Sequence, residues 1–327
     1  MAHLSRRAIL AAPLLLPLAA QAQTQTPYPS RPVRVIVPYP AGGGTDTWGR
    51  LAVEGMQPEL GGTVIVDNRG GGNGIIGTEA VAKAEPDGHQ LLFTITSHIQ
   101  VPVVMRRFTY DPIKDFAPIG RLSYTALAFC VGPKVPAEVT TLQQFIEWAK
   151  GKDLSLGNYA AGSHGHAFAV LLAREAKLKS VNIAYRGESP MLQDMLGGSI
   201  DGGFHSMAAA GAMVRDGKVR ALAVAATRQR IASLPNVPTM LELGYSDYFG
   251  FTSFSGLFAP AKTPQPIVDK LAAAFKVAAN KPLVQERLIG MDTVPAYLPP
   301  AEFKAEVERS LKQWTEIVEA LDLRMDG

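Results

Sequence analysis

Cysteine is nearly absent: Cys130 is the only one in 327 residues. That excludes an intramolecular disulfide framework and any zinc cage built on cysteines. Cys130 lies in the apolar run of residues 126–131 and is expected to be a small buried hydrophobe. A charge excess is absent too, with 32 basic against 29 acidic residues. A nucleic-acid binder would show a basic stripe, so no nucleic-acid partner is expected. Low-complexity tracts and blocks of like charge are also missing. Beyond residue 22 no segment holds 18 uninterrupted apolar residues, which leaves no candidate for a membrane-spanning helix. What is present is globular: 47% hydrophobic and 19% charged residues, in a chain long enough for two domains.

The N-terminus reads as an export signal. Arg6 and Arg7 precede an apolar stretch over residues 8–20, and Ala20-Gln21-Ala22 has the small-x-small form of a cleavage site. The stretch is short for a bilayer span and contains Pro13 and Pro17. Residues 1–22 are therefore expected to be a signal peptide, exported by a twin-arginine-like or an ordinary secretory route. No cysteine follows the cleavage site to take a lipid anchor. The remaining chain would be periplasmic and soluble, with 30 basic and 29 acidic residues once the two arginines are removed.

Strand and helix signals alternate along that chain. Residues 33–37, 63–67 and 90–96 read as strands separated by helices over about 46–60 and 75–84, a βαβαβ run that implies a parallel sheet. The rhythm repeats between residues 124 and 225. Residues 251–259 read as another strand, followed by helices over 264–280 and 300–321. The reading is an α/β chain with two units. Lobe 1 comprises residues 23–122 plus 251–327, and lobe 2 comprises residues 123–250. Crossover strands near 124–131 and 251–259 form a hinge.

Glycine-rich strand-to-helix loops carry the chemistry. Pro38-Tyr39-Pro40-Ala41-Gly42-Gly43-Gly44-Thr45-Asp46 places three glycines before a helix start, where free N–H groups and the helix dipole attract an anion. The Lys-Ser/Thr of a nucleotide P-loop is missing there. Asp46 either caps the helix or accepts a hydrogen bond from a ligand amine or hydroxyl. Gly72-Asn73-Gly74-Ile75-Ile76-Gly77 matches a dinucleotide fingerprint, but no acidic residue follows about 20 residues on, so no cofactor is expected. Ala160-Ala161-Gly162-Ser163-His164-Gly165-His166 is the second-unit counterpart. It approaches a nucleophile elbow but has Ala161 where that motif needs glycine. His164 and His166 would diverge by about 200° on a helix, and no metal site is expected. Ligands of open α/β sheets bind beyond the carboxyl ends of strands. Ser97, His98, Tyr185 and His205 stand at such ends and are candidates to face a cleft.

Taken in order, several short segments resemble one family. They include the first glycine loop, Asp67-Asn68-Arg69-Gly70-Gly71-Gly72, Tyr110-Asp111-Pro112, Gly197-Gly198-Ser199-Ile200-Asp201 and Gly256-Leu257-Phe258-Ala259-Pro260. The family is the periplasmic receptors of tripartite tricarboxylate transporters, the TctC-like or Bug proteins. The resemblance implies a two-lobed periplasmic binding protein of the Venus-flytrap, type II-like kind, each lobe a mostly parallel sheet flanked by helices. It implies a monomeric, non-enzymatic receptor for a small carboxylate: a dicarboxylate, tricarboxylate, amino acid or aromatic acid. It also implies delivery to the membrane components of the transporter. By position, Tyr39, Gly43, Gly44, Thr45 and Asp46 would form one half of the clasp, and Gly162, Ser163 and His164 the other. Phe254, Arg186 and the His164/His166 pair depart from the usual pattern and bear on the ligand more than on the fold. The alternatives are a hydrolase using Ser163 on the same scaffold and a sensory receptor for a membrane kinase.

Overall fold

The computed structural model describes residues 28–105 and 109–323. The expected signal peptide lies outside these described residues. Two sheets organise the fold. The first has the order β11-β4-β10-β3-β1-β2, from β1 (Val33–Val37), β2 (Val64–Asn68), β3 (Gln90–Ile95), β4 (Phe116–Thr125), β10 (Ser253–Pro260) and β11 (Thr293–Leu298). The second has the order β7-β6-β8-β5-β9, from β5 (Leu127–Val131), β6 (Asp153–Asn158), β7 (Lys179–Ala184), β8 (Gly202–Ser206) and β9 (Arg220–Ala225). β1 pairs in parallel with β2 and β3, and β6 in parallel with β7 and β8. The antiparallel strands include those through which the chain changes sheets: β5 against β8 and β9, and β10 against β3 and β4. This is the two-lobed α/β architecture that the sequence implies.

The chain passes between the sheets twice. Only Ala126 separates β4 from β5, so one extended stretch leaves the first sheet and enters the second. The return runs through residues 226–252, which first pack back on the second sheet: Ala226 N–H donates to Phe249 O at 2.7 Å, and Phe249 is fully buried. Helices α8 (Gln265–Asn280) and α10 (Pro300–Leu321) then cover the first sheet through contacts with β4.

Strand β11 and the first half of β4 go beyond the sequence reading. Both contain proline, which argues against a central strand. β11 is an edge strand and tolerates Pro295. Pro118 lies beyond the stretch of β4 that pairs with β11, Arg121 to Thr125, so its missing N–H leaves no ladder bond broken on that side. A second difference matters for the site. Strand β3 stops at Ile95, and helix α3 (Ser97–Met105) begins at once.

Aromatic rings fill both cores. Phe129, Phe145, Phe168, Phe204 and Phe249 stack at centroid distances of 5.0–6.2 Å around the second sheet. Phe254, Phe258 and Phe303 join α10 to the first. Cys130 is wholly buried in β5, and burial pushes its thiol pKa up, away from reactivity.

Candidate functional site

Between the sheets lies a cavity with about 20 Å³ of room for a water-sized sphere, space for about one water. Tyr39, Gly44, Thr45, Trp48 and Thr125 wall it from the first sheet's side, and Leu127, Tyr159, Glu188 and Ser206 from the second. The two lobes are thus closed on one another.

The first loop folds as its glycines suggest. Gly42 takes φ +83°, and α1 (Gly44–Leu60) starts two residues later with no side-chain cap on Gly43. Asp46 instead turns back and accepts the Gly42 N–H at 3.0 Å. Its carboxylate also receives Arg50 at 3.0–3.1 Å and Asn68 at 2.9 Å. These donors hold its pKa below the usual range against the opposing effect of burial. Both Asp46 oxygens are committed inside lobe 1, and Asp46 does not line the cavity.

The acid that reaches the cavity is Glu188. It opens helix α6 (Glu188–Leu196), one residue after Gly187. One carboxylate oxygen accepts the Ser206 N–H at 2.6 Å. The other accepts the Ser206 hydroxyl at 2.9 Å and, from the opposite lobe, the Gly44 N–H at 3.0 Å. Gly44 is the first residue of α1, and Ser206 is the N-cap of α7 (Met207–Arg215). Glu188 thus sits on two helix N-termini that face each other across the cleft, where partial positive charge favours an anion. Burial raises its pKa above the ordinary carboxylate value, and the three donated bonds oppose that rise. Among the described residues, Glu188 is the only charged side chain lining the cavity.

Glycine is required at position 44 for this approach. A Cβ there would meet Ser206 Oγ at 2.6 Å and Glu188 Oε2 at 2.8 Å. Tyr39 and Tyr159 form further walls, and both are buried. Burial, with a smaller contribution from the Glu188 charge, pushes the Tyr39 phenol up to about 12, so it stays a neutral donor. Ser97 abuts Tyr39 at the start of α3. The Thr125 hydroxyl is buried in the cavity wall and has no hydrogen-bond partner among the described residues.

The second glycine loop lies elsewhere. Ser163 caps α5 (His164–Glu175) by accepting the His166 N–H at 3.3 Å. The His166 ring accepts the Gly162 N–H at 3.1 Å. The serine and imidazole groups required by the hydrolase alternative are therefore committed to one turn. A Cβ on Gly162 would come within 3.0 Å of Val104 in α3, so the loop packs against the first lobe and not against the first glycine loop. Ala161 N–H donates to Asn73 Oδ1 at 3.1 Å, and His164 Nδ1 pairs with Gln100 Nε2 at 3.0 Å. All these contacts cross between lobes. The fingerprint-like glycines at 72–77 accordingly build a turn whose Asn73 reaches the other lobe.

Three other candidates stand away from the cavity. His98 stacks on Tyr110 with centroids 5.6 Å apart, and its Nε2 pairs with Pro112 O at 3.0 Å. It lies inside α3, since the strand it was expected to end stops at Ile95. His205 is fully buried in β8 beneath the site, and neither ring nitrogen has a partner among the described residues. Tyr185 turns outward and bonds Asp194 at 2.7 Å. Glu188, Ser206, Tyr159, Trp48 and Thr125 were not selected from the sequence. Glu188 carries a usable sequence signal, because it follows Gly187 at a strand-to-helix turn like those of the two glycine loops.

The family model described as "Tripartite tricarboxylate transporter family receptor" matches residues 49–323. The chain belongs to the tripartite tricarboxylate transporter receptor family. A UPF0065 protein encoded in the TAR-I ttuE-ttuC' intergenic region of Agrobacterium vitis is 35% identical over 314 residues, covering 93% of this chain and 89% of that one. The periplasmic binding protein BugD superposes with a TM-score of 0.86 at 32% identity, covering 91% of this chain and 99% of BugD. MatC from Rhodopseudomonas palustris, solved with bound malate, gives a TM-score of 0.81 at 30% identity over 89% of this chain and 100% of MatC. The cavity of this TctC-family receptor lies between its lobes, where Glu188 spans two helix starts.

Proposed function

We propose that this receptor captures a small carboxylate-bearing solute in the periplasm by closing its lobes, then presents the closed form to the membrane components of a tripartite tricarboxylate-type importer. The lobes are residues 23–122 with 251–327 and residues 123–250, moving about Ala126 and the 226–252 return. The receptor acts as a monomer. One observation carries the reading: the cavity is walled by both sheets, and helix starts from both lobes converge on it. A malate-bound relative of the same fold supports the carboxylate class. Oriented N–H dipoles neutralise an anion with no lysine or arginine lining the cavity among the described residues, and closure strengthens them by excluding water. Because the cavity holds about one water, a solute binds with the lobes farther apart than here.

A thermal-shift screen of the mature chain tests this. The panel is mono-, di- and tricarboxylates, aromatic acids and amino acids. A ligand at a hundred times its Kd stabilises the fold by about 2.7 kcal/mol, a readily measured rise in Tm. If no carboxylate in the panel raises the Tm, the proposed function is wrong.

A further inference from the structure

The cavity is built for a charge that a plain carboxylate does not carry. Its one charged lining side chain is an acid. That acid holds the Ser206 N–H within its own lobe and, in this fully closed form, the Gly44 N–H as well, two groups that would otherwise receive a ligand anion. The remaining walls are notably aromatic: Tyr39, Trp48 and Tyr159. A buried carboxylate among aromatic rings attracts a cation, through direct pairing and through the negative faces of the rings. The same carboxylate repels a second one brought within a few ångström in a site closed to water.

We infer that the solute carries an ammonium group as well as its carboxylate, and that Glu188, flanked by Tyr39, Trp48 and Tyr159, seats that ammonium and rejects the plain acid. This rests on the carboxylate-receptor reading and narrows it to amino-bearing acids. The two Ser206 bonds lie within Glu188's own lobe, so its carboxylate stays in place when the lobes part to admit the solute, and the Gly44 N–H is then freed for the solute's carboxylate. The unpartnered Thr125 hydroxyl offers a further polar contact from the cavity wall.

The test is calorimetric titration of the mature receptor with matched pairs: propionate and β-alanine, butyrate and 4-aminobutyrate, succinate and aspartate, glutarate and glutamate. At least one amino member is expected to bind about 30-fold or more tightly than its plain partner, as loss of a buried charge partner predicts. Glu188→Gln, checked by its thermal unfolding, is expected to erase that preference. Plain acids binding the wild-type receptor as tightly as their amino partners would overturn the inference and leave the carboxylate receptor standing. A preference that persists in Glu188→Gln would remove Glu188 from the role. Failure of both series to bind would overturn the inference together with the function it rests on.

Discussion

Gly44→Ala separates closure from folding. In the closed form an alanine methyl would lie 2.6 Å from Ser206 Oγ, 2.8 Å from Glu188 Oε2 and 3.0 Å from Trp48 Cη2. Two of these atoms belong to the opposite lobe, so their clashes exist only when the lobes meet. Overpacking of this kind costs about 1–3 kcal/mol, which lowers the population of this fully closed, ligand-free form by roughly 5- to 150-fold. The open form keeps only the 3.0 Å approach to Trp48 within the same helix, and alanine in a helix gains up to about 1 kcal/mol over glycine. Neighbouring Gly43 is the control: its φ is −84°, and a Cβ there meets nothing closer than 3.8 Å. The assay combines small-angle scattering of the ligand-free protein with urea unfolding. Without ligand, Gly44→Ala should scatter as a more open molecule than wild type and unfold no earlier, while Gly43→Ala, whose Cβ comes no closer than 3.9 Å to the opposite lobe, should stay as compact as wild type. Ligand-free Gly44→Ala as compact as ligand-free wild type would refute the closure geometry.

Other perturbations follow from buried charge. His98 and His205 are pushed down to about 4 and His164 to about 3 by burial, so they stay neutral in the fold. Below the unfolded value near 6.5 the unfolded chain binds more protons, so their stabilisation is full above pH 6.5 and fades as pH falls towards 4. Three such groups lose roughly 4 kcal/mol per pH unit near pH 5; a urea midpoint unchanged between pH 7 and pH 5 would contradict this. Arg121 in β4 and Glu306 in α10 form a buried ion pair, and Arg121 Nε also donates to Ala296 O at 2.6 Å. Glu306→Ala strands the guanidinium and should cost about 3–5 kcal/mol in urea unfolding, against which a loss under 1 kcal/mol would count. Asp46→Asn weakens the loop cap and the Arg50 pair and should cost about 1 kcal/mol. It should leave the wild-type ligand preference intact, because Asp46 stands outside the cavity; an altered preference would return Asp46 to the site.

The sequence carried the family because the family's marks are local. Glycine-rich strand-to-helix turns, proline-spaced strands and helix stops are written in consecutive residues, and they recurred in order along the chain. Both glycine loops became helix starts as their residues suggested. Local rules failed where a residue's partner lay far along the chain. Ser97 and His98 were expected at a strand end, but α3 begins there and packs against α10, which turns His98 into an aromatic cluster. Pro295 hid an edge strand, since only its position in the sheet shows that its missing N–H is harmless.

By itself, then, the sequence determined an α/β chain with two crossings and an anion-attracting loop at Gly43–Gly44, because strand, turn and helix preferences act over a few residues. Only the tertiary structure decided which acid faces that loop. Asp46 is two residues from Gly44 but spends its oxygens on Gly42, Arg50 and Asn68. Glu188 is 144 residues away and takes the Gly44 N–H because the two sheets bring their helix starts together. A hydrogen bond depends on distance in space, and the folding of two lobes onto one cleft sets that distance.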